Sequence, residues 1–184
     1  MTLNTIPLST ASLNSFLNKS PKEPLRGSPK EPLRGSPKEP LCGSLKEFLW
    51  KYGSDTTTNF DLKKIAKDLQ RSSGGNLQIK VHIIMCDEIN NYLDKENLII
   101  NLQTSKEKGS HWVLCSKKFK IYFDSYGVVP IKNIDTYLDK GSFIYNTIQV
   151  QKINTKICGQ LCLFVLDKLE GGSKFEDIVL SLCE

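Results

Sequence analysis

Histidine is nearly missing from this chain: His82 and His111 are the two it has in 184 residues, so any chemistry that needs an imidazole has two candidates. Proline is nearly missing beyond residue 40, because seven of the eight prolines lie in the first 40 residues; downstream, Pro130 is the one proline. No apolar run approaches the ~20 residues that cross a bilayer, and the chain opens on no charged-then-apolar leader, so a soluble intracellular protein with no membrane partner is expected. A strong charge excess is also lacking. The formal charge is +5, but residues 1–43 hold six basic against three acidic residues, which leaves nineteen against seventeen for residues 44–184. That near balance argues against a protein whose main business is gripping nucleic acid. The six cysteines are irregularly spaced and do not read as a disulfide framework; as thiols, most are expected to be small buried hydrophobes.

What is present falls into two parts. The octad SPKEPLRG runs from Ser20 to Gly27, repeats from Ser28 to Gly35 and returns as SPKEPLCG from Ser36 to Gly43. With one Leu and two Pro per unit there is little to bury and few backbone donors, so residues 1–43 are expected to be a disordered Pro-rich tail. Residues 44–184 have the apolar content of a folded domain. Leu45, Phe48 and Leu49 suggest a short helix ended by Gly53. Leu62, Ile65, Ala66 and Leu69 fall at i, i+3, i+4 and i+7 of a second, capped by Asn59 or Asp61 and broken at Ser72–Gly75. Leu77–Met85 and Asn97–Gln103 read as strands, with His82 between the alternating apolar positions and so a solvated or edge histidine. Ser110–Ser116 and Phe119–Ser125 read as an antiparallel hairpin, Ile131–Leu138 as a helix and Ser142–Val150 as strand-like. Ile157–Leu169 carries a helical apolar face, and Ser173–Glu176 opens a final helix with a capping-box pattern. The expected fold class is α+β, with a central antiparallel or mixed sheet flanked by helices.

Centring the hairpin turn between Lys117 and Lys118 makes His111 face Asp124. Opposed residues have Cβ atoms ~4.5–5.5 Å apart, close enough for a carboxylate to hold an imidazole in one tautomer. Cys158 stands at the expected start of a helix, where unpaired N–H groups and the helix dipole favour a thiolate, and Gly159 beside it would let a substrate backbone come close. Acyl transfer also needs donors aimed at a developing oxyanion. The Cys158 N–H and the side-chain amide of Gln151, seven residues upstream, are the natural pair, with Gln149 a rival for the amide.

Three motifs gather these residues: G-x-HW-V at Gly109–Val113, Y-x-D-S-Y/F-G at Tyr122–Gly127, and V-Q-x-x-N-x-x-x-C-G-x-x-C at Val150–Cys162. Together with Asn59–Leu62 and Ile99–Leu102, they make residues 59–169 resemble the adenovirus-protease-like (adenain-like) cysteine peptidases, the type encoded by Polinton/Maverick elements and related double-stranded DNA viruses. The resemblance implies a cysteine-proteinase-like fold and a thiol endopeptidase needing no metal or cofactor. It implies His111 as base, Asp124 as its orienter where adenoviral members have Glu, Gln151 as oxyanion donor and Cys158 as nucleophile. It further implies a polypeptide substrate, a capsid or structural precursor cut near Gly, with a peptide and DNA as activators in the adenoviral members. A monomer in the cytoplasm or nucleus of a host cell, or packaged in virions, goes with it. Leu-Arg-Gly-Ser in the octads resembles such Gly-containing sites, so self-processing of the tail is an alternative to a plain spacer.

Other readings compete. SUMO-specific and ubiquitin-like-modifier proteases share the His, Asp, Gln, Cys order, but their domains are longer and their Gln sits nearer the Cys. A non-catalytic module that kept the fold would keep the residues without the reaction. A zinc site of His111, Cys115, Cys158 and Cys162 is disfavoured because four residues of strand separate His111 from Cys115 by ~13 Å.

Overall fold

The computed structural model describes residues 43–72 and 79–183. The octads of residues 1–42 and the Ser73–Gly75 helix break lie outside the described residues. The chain is α+β, with five strands in one mixed sheet and helices packed on it.

Helix α1 (Leu45–Tyr52) starts at Ser44, whose hydroxyl accepts from Glu47 N while the Glu47 carboxylate accepts from Ser44 N. Gly53, at φ +86°, ends it as expected. Helix α2 (Asn59–Ser72) is capped by Thr58, one residue before Asn59 and three before Asp61. Thr58 Oγ1 accepts from Asp61 N at 3.2 Å and Asp61 Oδ2 accepts from Thr58 N at 2.9 Å, a reciprocal box centred on Thr58. Strands β1 (His82–Met85), β2 (Asn97–Asn101), β3 (Trp112–Ser116), β4 (Ile121–Phe123) and β5 (Ile144–Tyr145) lie side by side in chain order. The outer pairs β1·β2 and β4·β5 are parallel and the inner pairs antiparallel. Between β1 and β2 the crossover is a 3₁₀ segment, Cys86–Tyr92, and between β4 and β5 it holds the short helix α3 (Lys132–Tyr137). His82 sits on the edge strand β1, half-buried, its ring 5.3 Å from that of Tyr92.

The strand expected over Ser142–Val150 contracts to two residues for a specific reason. At the next position the Asn146 side chain replaces the backbone ladder: its Oδ1 accepts from Asp124 N at 3.1 Å and its Nδ2 donates to Asp124 O. Helix α4 (Cys158–Glu170) matches the expected span within a residue, and α5 (Phe175–Ser181) closes the chain. The expected capping box at α5 does not form, because Lys174 occupies the cap position and has no acceptor to offer.

Both faces of the sheet are buried. Ile83, Ile99, Leu114, Ile121 and Phe123 meet α1, α2, α4 and α5 on one side. Ile84, Leu98, Ile100, Val113, Cys115 and Tyr122 meet the 3₁₀ segment and α3 on the other. This accounts for the continuous apolar runs in β2 and β3, where every residue is buried. Helix α4 is enclosed from Cys158 to Leu169, held between the sheet and the other helices. No helix among the described residues is long and apolar enough to cross a membrane.

Candidate active site

His111 immediately precedes β3 and Asp124 immediately follows β4, so the hairpin carries both to one end of the sheet. Its register differs from the symmetric one. Leu114 faces Phe123, Cys115 faces Tyr122 and Ser116 faces Ile121, because the connection is a four-residue turn, Lys117–Lys120, rather than a two-residue one. Lys120 at φ +54° and the Lys120 N to Lys117 O bond close that turn. Continued past the last rung, this register puts Tyr126, not Asp124, opposite His111. The slip is two residues, an even number, so His111 and Asp124 keep the same face and meet as diagonal neighbours. Nε2 of His111 lies 2.8 Å from Oδ1 of Asp124.

Asp124 is held from several directions. Besides His111, its Oδ1 accepts from Tyr126 N at 2.8 Å, and its Oδ2 receives the Tyr122 hydroxyl at 3.4 Å. Asn146 fixes both of its backbone groups. Gly127 completes the turn by donating to Asp124 O; at φ +71°, with the backbone of Thr147 and Ile148 within 3.0 Å of where a Cβ would stand, no other residue fits there. The Asp124 side chain is 1% exposed and that of His111 15%, so the acid is sealed while the imidazole faces the cleft.

Cys158 is the first residue of α4. The cap residue Ile157 has no side-chain acceptor, which leaves the first-turn N–H groups without a side-chain cap and the sulfur at the positive end of the helix. His111 lines the same cleft as Cys158, and the sulfur acts on its ring electrostatically. With Nε2 on the carboxylate, Nδ1 is the ring nitrogen left for another partner. Burial pulls the imidazolium down, but the hydrogen bond to Asp124 and the influence of Asp124 and Cys158 on the ring outweigh it, pushing His111 up to about 9. The protonated ring is thus favoured beside a buried carboxylate.

Gln151 is buried, its Oε1 accepting from the Ser125 hydroxyl at 2.7 Å. Both amide protons of its Nε2 are engaged, one on Thr155 O at 2.7 Å and one, more loosely, on the Tyr126 hydroxyl at 3.2 Å. Gln149, the rival donor, is not among the residues that line the cleft, and its Nε2 donates to Gln151 O. His111, Gln151 and Cys158 all line one cleft of about 730 Å³, together with Trp112, Tyr126 and residues from the β1 edge. The four residues singled out in the sequence therefore come together, three on the cleft and Asp124 behind His111.

Compared with known proteins, the chain matches no family model, no curated protein and no solved structure. What the site can do follows from its own atoms.

Gly159 has a different role from the one expected of it. A Cβ there would stand 2.8 Å from both Leu62 Cδ2 and Thr57 Oγ1, so the bare backbone serves the packing of α4 on α2 rather than access for a ligand. The four would-be zinc ligands are also divided, because Cys115 lies in the core on the far face from Cys158 and Cys162. Burial alone pushes the Cys115 thiol well up, and it is the largest of the influences that do so at Cys162. Sequence reasoning gave no role to Asn146, Tyr126 or Gln160. Gln160 donates to Asp55 O at 2.8 Å and, with the Trp112 indole on Thr57 O, pins the 53–58 loop that forms one cleft wall. Tyr126 and Gln160 both stood inside recognised motifs, Gln160 at an unspecified position of Val150–Cys162, whereas nothing near Asn146 marked it.

Proposed function

We propose that the protein is a cysteine endopeptidase of the adenovirus-protease-like kind. The observation that carries the reading is that the Asp124-held His111, Gln151 and Cys158 meet on one cleft, with the sulfur at a helix N-terminus. The Cys158 thiolate attacks the scissile carbonyl carbon, and the carbonyl electron pair moves onto oxygen. The Cys158 N–H and the Gln151 amide take that oxyanion, Gln151 exchanging its long bond to Tyr126 for a shorter one to the substrate. Collapse expels the amine, which takes the proton from His111, and leaves a thioester. His111 then removes a proton from water as it attacks the thioester, and collapse releases the acid and restores the thiolate beside the protonated His111. Asp124 keeps the ring oriented and balances its charge throughout. By the resemblance, the substrates are capsid or other structural precursors cut near Gly, and the fold is the cysteine-proteinase-like one.

A second reading is a non-catalytic module, favoured by one observation: in the free protein both Gln151 amide protons are already engaged. One experiment separates the two. Full-length protein and its Cys158→Ala variant are incubated with a Gly-rich peptide library, and products are read by mass spectrometry. Cleavage that disappears in the variant is expected. Equal cleavage by both removes Cys158 from the chemistry, and no cleavage by either, over a range of peptides, favours the module.

A further inference from the structure

Tyr126 touches three of the four residues assigned above, each through a different part of itself. Its backbone N–H donates to Asp124 Oδ1 at 2.8 Å. Its ring lies 4.8 Å from the His111 ring at an interplanar angle of 32°. Its hydroxyl accepts from Gln151 Nε2 at 3.2 Å. The geometry points to Tyr126 as a positioning residue, its ring the stacking partner that fixes the His111 imidazole and favours its protonated form. What this means for peptide hydrolysis rests on the reading above; the contact itself does not.

An aromatic face within ~6 Å of a cation attracts it through the negative face of the ring. The turn that carries Tyr126 is fixed by Gly127, and the hydroxyl is tethered to a buried amide, so the ring is held where it is rather than resting on the histidine by chance. Of the titratable groups around His111, Asp124 from the end of β4 and Cys158 from α4 act on the ring directly. Lys63, Lys108, Lys156, Glu88 and Glu107 line the same cleft from α2, the 102–110 loop, the 151–157 connection and the 3₁₀ segment. Tyr126 differs from all of these in acting through its face instead of its charge.

The scarcity of histidine makes the test direct. Two imidazole Cε1–H signals are followed by NMR through a pH titration of the full-length protein, and His111→Asn identifies which is His111. In Tyr126→Leu the His111 midpoint is expected to fall by roughly 0.5 unit, while the His82 signal moves as in the parent. In Tyr126→Phe, which keeps the ring and loses the hydroxyl, His111 stays within about 0.2 unit of the parent, because the proposed effect belongs to the ring face. If the leucine variant does not fold, Tyr126→Met carries the same comparison. A His111 midpoint unchanged without the ring overturns the proposal, and so does a phenylalanine variant that falls as far as leucine. Neither result depends on peptide cleavage, so a failed protease assay and a failed positioning role are told apart.

Discussion

At the scale of single residues, the His111–Asp124 contact sets a pH dependence whose sign can be worked out. His111 is raised to about 9, above the ordinary histidine value it regains when unfolded. A group raised on folding contributes stability that is fully present below its unfolded pKa and lost as pH rises through the folded one. The protein should therefore lose stability between pH ~6.5 and ~9. Asp124→Asn, which keeps the shape and removes the charge, should flatten that loss and lower turnover about 10²–10⁴-fold. Urea melts of both forms at half-unit pH steps check the first expectation; parallel curves would show that the carboxylate is not what raises the histidine. A second residue-scale prediction concerns Gly159→Ala. The new methyl would press on the fully buried Leu62 and on Thr57, at a cost of about 1–3 kcal/mol. Thermal melting should drop by several degrees, and a variant as stable as the parent would mean that α2 has slack against α4.

At the scale of elements, the β3–β4 hairpin separates what could be read from the sequence from what could not. Two β-rich runs placed both strands and the helical spacing placed α4, since these follow from local composition and periodicity. The register was missed because turn length is set by backbone geometry that Lys-Lys-Phe-Lys does not advertise: Lys120 takes a positive φ that the sequence gives no Gly or Asn to signal. The site survived the error because a two-residue slip keeps the face, and a one-residue slip would have lost it. Strand β5 was overestimated because Asn146, a side chain, does the work of a ladder rung. The turn gives its own prediction. Glycine reaches the left-handed region without steric penalty, so Lys120→Gly should stabilise the protein by about 1 kcal/mol in equilibrium unfolding. The register should not move, and amide shifts of His111 and Asp124 should stay where they are. Destabilisation would mean that the lysine side chain contributes more than its backbone costs.

At the scale of the molecule, the site joins two layers: the sheet supplies His111 and Asp124, and the helical layer supplies Cys158. Their alignment depends on how firmly α4 is held against β3. Every residue of α4 from Cys158 to Leu169 is buried, the Cys162 thiol donates to Trp112 O, and α1, α2 and α5 all pack on this helix. Opening such a helix requires dismantling both its sheet contact and its helical cover, which amounts to global unfolding. The loops that wall the cleft are tied differently. Residues 102–110 hang on Asn101, whose Oδ1 accepts from Gln103 N and Ser110 N, and residues 151–157 hang on Gln151 and Thr155. Such loops can open for a substrate while the sulfur and the imidazole stay in register. Native-state hydrogen exchange should show it: amides of Leu161–Leu169 exchange only at the free energy of complete unfolding, and those of 102–110 and 151–157 exchange through smaller openings. Adding urea should accelerate the first group steeply and leave the second nearly flat, because only the first exposes a core. If α4 exchanged with the loops, the thiol would part from its histidine whenever the cleft opened, and a preorganised pair could not be the basis of turnover.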